Sequence, residues 1–206
     1  IFAGDWFAET GEQLTKITNP KFRELPKTVG GVLAQLVPSG PSYDGPNNLQ
    51  LFIQLVHSAR RKIVITNPYF MPDEALLAAC TSAAKRGVEV TIINSEAIDQ
   101  LMVGYAQRSY YEELLEAGVK IYLYKAPILL HSKHMTIDDD IAVIGSSNMD
   151  IRSFALDLEC VVALYDKKVV KDLAKVQKHD LAHSKQLKLK VWHQRKLRYK
   201  FLESVT

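Results

Sequence analysis

The sequence is poor in several features that would assign it to a familiar class. Its 206 residues contain two cysteines, Cys80 and Cys160, and their apolar or helical surroundings favour buried free thiols over a disulfide framework. No apolar run reaches the roughly 18 residues of a membrane-spanning helix, so any membrane contact is expected to be peripheral. Glycine-rich phosphate loops, internal repeats and low-complexity linkers are also absent, which excludes a repeat array and the usual nucleotide loop.

The composition is that of a globular protein. Hydrophobic residues make up 47% of the sequence and charged residues 24%, which supports a substantial core. We predict a single domain over residues 1–206. The net charge of +3 does not by itself argue for or against nucleic acid as a partner. The sequence starts at Ile1 and opens like the middle of a helix, so we expect a piece of a longer protein.

Strands and helices alternate along the chain, which predicts an α/β fold. A helix followed by an extended arm is expected over residues 1–28, and a buried strand within 31–41. The strands up to residue 124 are expected to include parallel pairs, and those after Pro127 to be antiparallel, so the sheet is mixed and carries helices on both faces. The other predicted helices are 48–61, 73–87, 105–118 and about 167–185. The other predicted strands are 62–66, 88–93, 119–124, 131–138, 141–145 and 156–166.

The segment from His131 to Asp150 gathers reactive side chains at a fixed spacing. It fits the pattern H-x-K-x4-D-x6-G-S-x-N, and six specified residues would match by chance in about one of several hundred thousand such chains. A single histidine on a strand is more often structural than catalytic, but the combined spacing favours a site. The matching residues are His131, Lys133, Asp138, Gly145, Ser146 and Asn148.

These residue types suit an anionic substrate. If 131–138 is a strand, alternation places His131 and Lys133 on one side, in line with core residues Met135 and Ile137, and His134 on the other. The lysine would neutralise the substrate while the histidine attacks it or transfers a proton. The turn that follows adds hydroxyl and amide donors, and its glycine permits close backbone approach. We therefore predict a phosphate pocket that contains its own nucleophile.

This pattern resembles the HKD motif of the phospholipase D superfamily. The resemblance implies that His131 attacks a phosphodiester and forms a phosphohistidine, with no metal and no cofactor. A second motif across the cleft would supply the histidine that protonates the leaving alcohol. The remaining roles implied are phosphoryl binding by Lys133, Asn148 and Ser146, ordering of the site by Asp138, and orientation of the imidazole by Glu159.

The flanking sequence resembles the C-terminal half of bacterial cardiolipin synthases. The similar segments are "NPYFMPDEALLAAC", "RSYYEELLEAGVKIYLY" and "GSSNMDIRSFALDLE". The resemblance implies transfer of a phosphatidyl group between two phosphatidylglycerol molecules at the cytoplasmic face of the cell membrane. Only one HKD motif is present, so the partner is expected to be a missing N-terminal half or a second copy in a homodimer.

Three further features remain open to two interpretations. Tyr69 and Phe70 could line the cleft, although burial would also explain them. His179 and His183 are one helical turn apart, as in some zinc helices, but a solvated face is favoured because no third ligand is evident. The basic stretch 185–200 fits either a solvated terminal helix or contact with an anionic membrane. Asp139 and Asp140 are expected in a solvated turn, and the helix 167–185 is expected to bury Val169, Leu173, Val176 and Leu181.

Three functions follow from these observations. The first is phosphatidyl transfer that makes cardiolipin. The alternative is a single-motif phosphodiesterase, phospholipase D or nuclease that acts as a homodimer, although the mild charge and the lipid-synthase flanks argue against nucleic acid. The third is a non-catalytic half that shapes a partner's site, against which the intact motif argues.

Overall fold

The computed structural model describes residues 2–14 and 31–195. The chain falls into two compact units, 1–32 and 33–206. In the first unit, helix α1 (Phe2–Thr10) confirms the predicted N-terminal helix, and none of its residues is buried. The arm predicted to follow it lies mostly outside the described residues.

The second unit contains a large mixed sheet. Its strands in the described part of the chain are β1 (Leu33–Ser39), β2 (Lys62–Thr66), β3 (Phe70–Met71), β4 (Glu89–Ser95), β5 (Lys120–Tyr124), β6 (His134–Ile137), β7 (Ile141–Gly145), β8 (Met149–Asp150), β9 (Glu159–Tyr165) and β10 (Ser184–Gln186). Eight of them form one sheet in the order β1-β9-β7-β6-β2-β4-β5-β10, and β3 pairs with β8. The pairs β2–β4 and β4–β5 are parallel, whereas the other pairs of the large sheet are antiparallel. The prediction of a mixed sheet is confirmed.

Helices cover both faces of this sheet. On one face, Met135 and Ile137 of β6 join the core that contains Phe52 and Leu76. On the other face, the Thr136 hydroxyl donates a hydrogen bond to the Gln177 Oε1 atom of the helix that covers it. The helices of this unit are α2 (Asn47–Ser58), α3 (Glu74–Lys85), α4 (Leu101–Ser109), α5 (Tyr111–Glu116), α6 (Ile151–Ala155), α7 (Lys167–Ala182) and α8 (Leu189–His193).

Local sequence explains why these elements begin and end where they do. In β2, Ile63 to Thr66 are all buried, because a central strand covered on both faces needs an almost continuous apolar run. The side chain of Asp73 accepts a hydrogen bond from the backbone N–H of Leu76 and caps α3. Gly118 follows α5 with a φ of 94°, a left-handed conformation that glycine adopts without a steric cost.

Two predictions about helices are wrong in detail. The helix predicted over 105–118 begins earlier and is divided into α4 and α5 near Tyr110. Helix α7 buries Val170, Gln177 and Asp180, whereas Val176 is 48% exposed. Polar residues occupy that buried face because α7 packs over Thr136 and His134 rather than over an apolar strand face.

The strand predicted as buried within 31–41 is an edge strand. Leu33 and Leu36 of β1 are 71% and 54% exposed, since β1 pairs with β9 along one edge. An apolar strand sequence does not by itself indicate burial, because edge strands also carry exposed leucines. The two cysteines are free, and Cys80 is buried as predicted.

Candidate active site

His131 and Lys133 lie together in the chain that enters β6. The Lys133 Nζ atom is 2.9 Å from the His131 carbonyl oxygen and 3.3 Å and 3.4 Å from the two imidazole nitrogens. His131 is exposed and Lys133 is half-buried. The two side chains are in contact, as predicted, but the strand begins at His134, three residues later than predicted, so both residues lie in the segment that precedes it.

Lys133 places a positive charge at the mouth of the site. Burial lowers the pKa of Lys133, while the nearby carboxylates of Glu159 and Asp150 act to raise it. A cation that is partly withdrawn from water interacts more strongly with an anion than one in bulk solvent. The lysine is therefore suited to hold a phosphoryl oxygen beside the imidazole.

Gly145 brings strand β7 against β9 beneath the site. Its N–H donates to the Lys133 carbonyl at 3.2 Å, so the end of β7 is joined to the lysine. A Cβ atom at this position would lie 2.5 Å from the Cys160 carbonyl oxygen. Only glycine fits here without movement of the β9 backbone, which agrees with the close approach predicted for this residue.

Ser146 and Glu159 form the polar wall of the site. The Ser146 hydroxyl donates to the Glu159 carboxylate and accepts from the Cys160 N–H at 3.0 Å. The Ser153 hydroxyl donates to the other Glu159 oxygen at 2.9 Å. Among the described residues, the Glu159 oxygens accept from these two serines, and the hydrogen bond predicted between Glu159 and His131 is not made in this structure.

Asn148 lies in the turn that follows β7. Its backbone N–H donates to the Ser153 hydroxyl at 3.2 Å, which fixes the main chain of the turn. Within residues 31–195, the Asn148 Oδ1 atom is buried and has no hydrogen-bond partner. A buried polar group of this kind is stabilised by a ligand or by water. The atom without a partner is an acceptor and would meet a donor rather than a phosphoryl oxygen, so phosphoryl binding by the Asn148 Nδ2 donor stays a prediction of the motif.

Tyr69 and Phe70 have different surroundings. The Tyr69 ring lies edge-on to His131 with 6.2 Å between ring centroids, and its hydroxyl donates to Asp99 at 2.6 Å. Burial, together with that hydrogen bond, raises the pKa of Tyr69 to about 12. The Phe70 side chain is fully buried in the core, so its predicted place in the cleft is wrong. Successive residues of an extended segment face opposite sides, and the tyrosine takes the solvent side.

Asp138 is remote from the histidine. It lies after the last residue of β6, roughly 20 Å along an extended chain from His131, with a φ of 50°. Its carboxylate accepts from the backbone N–H groups of Arg60, Arg61 and Lys62 at 2.8–3.0 Å. Burial acts to raise the pKa of Asp138, but the three donors and the Arg61 charge outweigh it and lower the pKa. Asp138 orders the chain before β2 and takes no part in the reacting cluster.

Two buried asparagines support the site, and the sequence analysis missed them. The Asn48 amide donates to the Ser147 hydroxyl at 2.8 Å and to the Ser153 carbonyl at 3.0 Å. The Asn67 Oδ1 atom accepts from the N–H groups of Tyr69 and Met149. The sequence signal for Asn67 was its position directly after β2, since ligand sites form where strands of a parallel sheet end.

The histidines outside the motif have structural surroundings. His134 is buried on the opposite face, as predicted, 3.4 Å from Gln177 and 3.9 Å from Asp180. Burial lowers the pKa of His134, while Asp180 acts to raise it. The His183 Nδ1 atom is 2.8 Å from the His179 carbonyl oxygen. In the described part of the chain, no third residue that could ligate a metal lies beside His179 and His183. The group of side chains there that could hold a metal ion is Glu112, Glu116 and His193.

The surface turns behave partly as predicted. Asp139 and Asp140 are exposed, and Asp139 pairs with Arg61 at 2.7 Å.

In the basic stretch, Ser184–Gln186 forms edge strand β10 and Leu189–His193 forms α8, so it is not one continuous helix. Its last bases, Lys196, Arg198 and Lys200, lie outside the described residues. Among the described residues, no helix has the length and apolar character to cross a membrane.

The site opens to solvent as a shallow pocket of about 540 Å³. His131, Lys133, Gly145, Ser146 and Asn148 line it. The pocket thus brings together an imidazole, an ammonium and a carboxamide.

A mixed sheet with this pocket at the start of a central strand defines a phospholipase D-like domain. The fold is similar to that of Nuc, a phospholipase D family member from Salmonella typhimurium, with a TM-score of 0.65, 18% identity, and 77% of this chain and 99% of that chain covered. It is also similar to the fold of phosphatidylserine synthase from Haemophilus influenzae, with a TM-score of 0.67 and 20% identity. That similarity covers 86% of this chain and 45% of the synthase chain. These similarities concern the fold.

Sequence comparison identifies the family. Residues 52–181 match the family described as cardiolipin synthase, PLD-like domain, and the chain belongs to it. The chain is 42% identical over 206 residues to a cardiolipin synthase of Halalkalibacterium halodurans, covering 99% of this chain and 40% of that protein. It is 38% identical over 196 residues to cardiolipin synthase A of Pectobacterium carotovorum, covering 95% of this chain and 40% of that protein. The chain therefore spans about two fifths of the length of the curated relatives that it matches.

Proposed function

We propose that this chain is one catalytic half, a single phospholipase D-like domain, of a phosphatidyltransferase that makes cardiolipin from two phosphatidylglycerol molecules. The observation that carries the proposal is the contact of Lys133 with both nitrogens of the His131 ring, in a pocket that Asn148 also lines. Identity of about 40% to proteins named cardiolipin synthase supports this choice of reaction.

In the first step, His131 attacks the phosphorus of one phosphatidylglycerol. The N–P bond forms and the P–O bond to glycerol breaks, leaving a phosphatidyl-histidine. A histidine of the second motif gives its proton to the glycerol oxygen. Lys133 and the Asn148 amide hold the phosphoryl oxygens, whose negative charge is greatest as the bonds exchange.

In the second step, a hydroxyl of another phosphatidylglycerol attacks the same phosphorus. Its proton passes to the histidine of the second motif, the new P–O bond forms and the N–P bond breaks. The products are cardiolipin and free His131. Charge and atoms balance, because the first step replaces a P–O bond by a P–N bond and the second step reverses that exchange with a new alcohol.

Glu159 positions the turn that carries the phosphoryl-binding groups. Its two oxygens hold Ser146 and Ser153, and Ser153 in turn holds the Asn148 backbone. Orientation of His131 by Glu159 would add a hydrogen bond from the imidazole to a carboxylate oxygen, which can accept a second donor beside its serine.

The second half of the site comes from a facing phospholipase D-like domain, either in the same longer chain or in a second copy. The open pocket supports this, since exposed His131 and Ser146 lack a covering wall in the described residues. Ile144, which lines the pocket, is 43% exposed, and a facing domain would cover it. The enzyme would act at the cytoplasmic face of the cell membrane, where its lipid substrates lie.

The test uses the full-length natural protein in vesicles of phosphatidylglycerol. The wild type should form cardiolipin and release one glycerol for each molecule made, whereas His131→Gln should reduce the rate by at least 10⁴-fold. His179→Gln, a change in an exposed histidine of α7, is the matched control and should retain the rate. Cardiolipin formation that persists in His131→Gln would refute the proposal.

A single-motif phosphodiesterase is the second candidate, because the fold of this chain covers 99% of the short chain of Nuc. A purified protein of these 206 residues that dimerises and cleaves a soluble phosphodiester or DNA, but makes no cardiolipin, would favour this candidate.

A further inference from the structure

A second pocket adjoins the pocket that contains His131. Its volume is about 490 Å³. Asn148 lines both pockets, and Tyr69 lines the second pocket while its ring contacts His131. A molecule bound in the second pocket would therefore reach the reacting centre past these two side chains.

The lining of the second pocket is amphipathic. Met71, Val103 and Ile151 supply apolar surface, and Arg152 supplies a guanidinium. Ile151 is 63% exposed, so apolar surface extends from the pocket to its rim. A positively charged guanidinium beside exposed apolar surface is the combination that binds an amphiphile with an anionic head group.

Asp157 orients the guanidinium of Arg152 and uses only part of its hydrogen-bonding capacity. Its Nε atom donates to the Asp157 carboxylate at 3.1 Å, and its side chain is 78% exposed. An arginine has five N–H donors, and within the described residues the bond to Asp157 uses the one on Nε. The terminal nitrogens are thus free to form the paired hydrogen bonds that arginine makes with phosphate.

The carboxylates at this pocket do not cancel that role. Asp150 is buried and accepts from the Ser153 N–H at 2.7 Å, which commits it to the cap of α6. Asp157 neutralises part of the Arg152 charge but also presents oxygen acceptors to the hydroxyl groups of a glycerol head group. The pocket can therefore meet both a phosphodiester and the alcohol attached to it.

The second step of the proposed reaction needs such a subsite, because the attacking phosphatidylglycerol carries its own phosphodiester. Lys133 is occupied at that moment by the phosphoryl group on His131. Resting on the proposed function, we infer that the pocket lined by Tyr69, Asn148 and Arg152 binds the acceptor phospholipid, with Arg152 holding the acceptor's phosphate. A neutral alcohol, which lacks a phosphate, would not need Arg152.

The experiment compares two acceptors in the full-length enzyme. Exchange of labelled glycerol into phosphatidylglycerol uses the donor site and a neutral acceptor, whereas cardiolipin formation uses the charged acceptor. Arg152→Gln should lower cardiolipin formation at least tenfold more than it lowers glycerol exchange. Arg152→Lys, which keeps the charge but loses the paired hydrogen bonds, should recover part of the difference.

The matched control is Arg61→Gln, because Arg61 is also an exposed arginine paired with one aspartate. It should leave the ratio of the two rates unchanged. An equal loss of both rates in Arg152→Gln, or no loss, would overturn the inferred subsite while leaving the transfer reaction intact. Absence of both rates in the wild type would instead overturn the proposed function.

Discussion

Replacing Asp138 separates a role in folding from a role in chemistry. Asp138→Ala removes the acceptor of the N–H groups of Arg60, Arg61 and Lys62. Hydrogen bonds to a charged group contribute about 1.5–3 kcal/mol each, but these donors lie near solvent and can be rehydrated, so we expect about 2 kcal/mol in total. The left-handed φ of 50° costs alanine about 1 kcal/mol more.

The expected loss is thus about 3 kcal/mol in the free energy of unfolding, or roughly 6–12 °C in Tm for a chain of this size. Urea unfolding followed by circular dichroism measures it. The matched control is Asp139→Ala, which loses one exposed ion pair and should change stability by less than about 0.5 kcal/mol.

The pH dependence of this difference has a defined sign. The folded state lowers the pKa of Asp138, so its stabilisation is complete above the unfolded pKa of about 3.9 and is lost as the pH falls through the folded pKa. The difference between wild type and Asp138→Ala should be constant from pH 6 to 8 and should shrink below about pH 4.

The turnover of the Asp138→Ala enzyme tests the assignment of Asp138 to folding. At a temperature well below both transitions, Asp138→Ala should turn over within about threefold of the wild type, because Asp138 lies roughly 20 Å along the chain from His131. A variant of unchanged stability whose turnover falls a thousandfold would show that the assignment of Asp138 to folding is wrong.

Three further predictions concern Glu159, the neighbouring aromatics and the cysteines. Glu159→Gln should slow phosphatidyl transfer about 10–100-fold in the full-length enzyme, as loss of a positioning carboxylate does elsewhere, and an unchanged rate would contradict its role. Phe70→Ala should lower the free energy of unfolding by about 3–5 kcal/mol because the ring is fully buried, whereas Tyr69→Phe should lower it by less than about 1 kcal/mol; equal losses in urea unfolding would argue against this assignment. Burial raises the pKa of Cys80 to about 12, so iodoacetamide at pH 8 should label half-buried Cys160 in the native protein and leave Cys80 unlabelled, as mass spectrometry of peptides would show.

The motif was predictable because its geometry is local. His131 and Lys133 are two residues apart in an extended segment, so alternation alone places them on one side. The strand β7 returns Gly145 beside Lys133 through an ordinary antiparallel pair. The same alternation, applied to Tyr69 and Phe70, would have excluded the phenylalanine from the cleft.

The rest of the site depends on contacts between distant parts of the chain. Asn48 and Ser147 are 99 residues apart in sequence, and periodicity gives no sign that α2 supports the turn after β7. The same limit applies to α7, whose polar residues Gln177 and Asp180 are buried because His134 and Thr136 lie beneath them. The exposure of β1 follows from its position at the sheet edge, which only the assembled sheet determines.

The most direct test of the account traps the covalent intermediate on His131. Full-length enzyme is mixed with phosphatidylglycerol labelled in its phosphate, quenched in denaturant, and digested for peptide mapping. The account predicts acid-labile label on the peptide that contains His131, and no such label in His131→Gln. Label on a different residue, or label that persists in the variant, would contradict the assignment of His131 as the nucleophile.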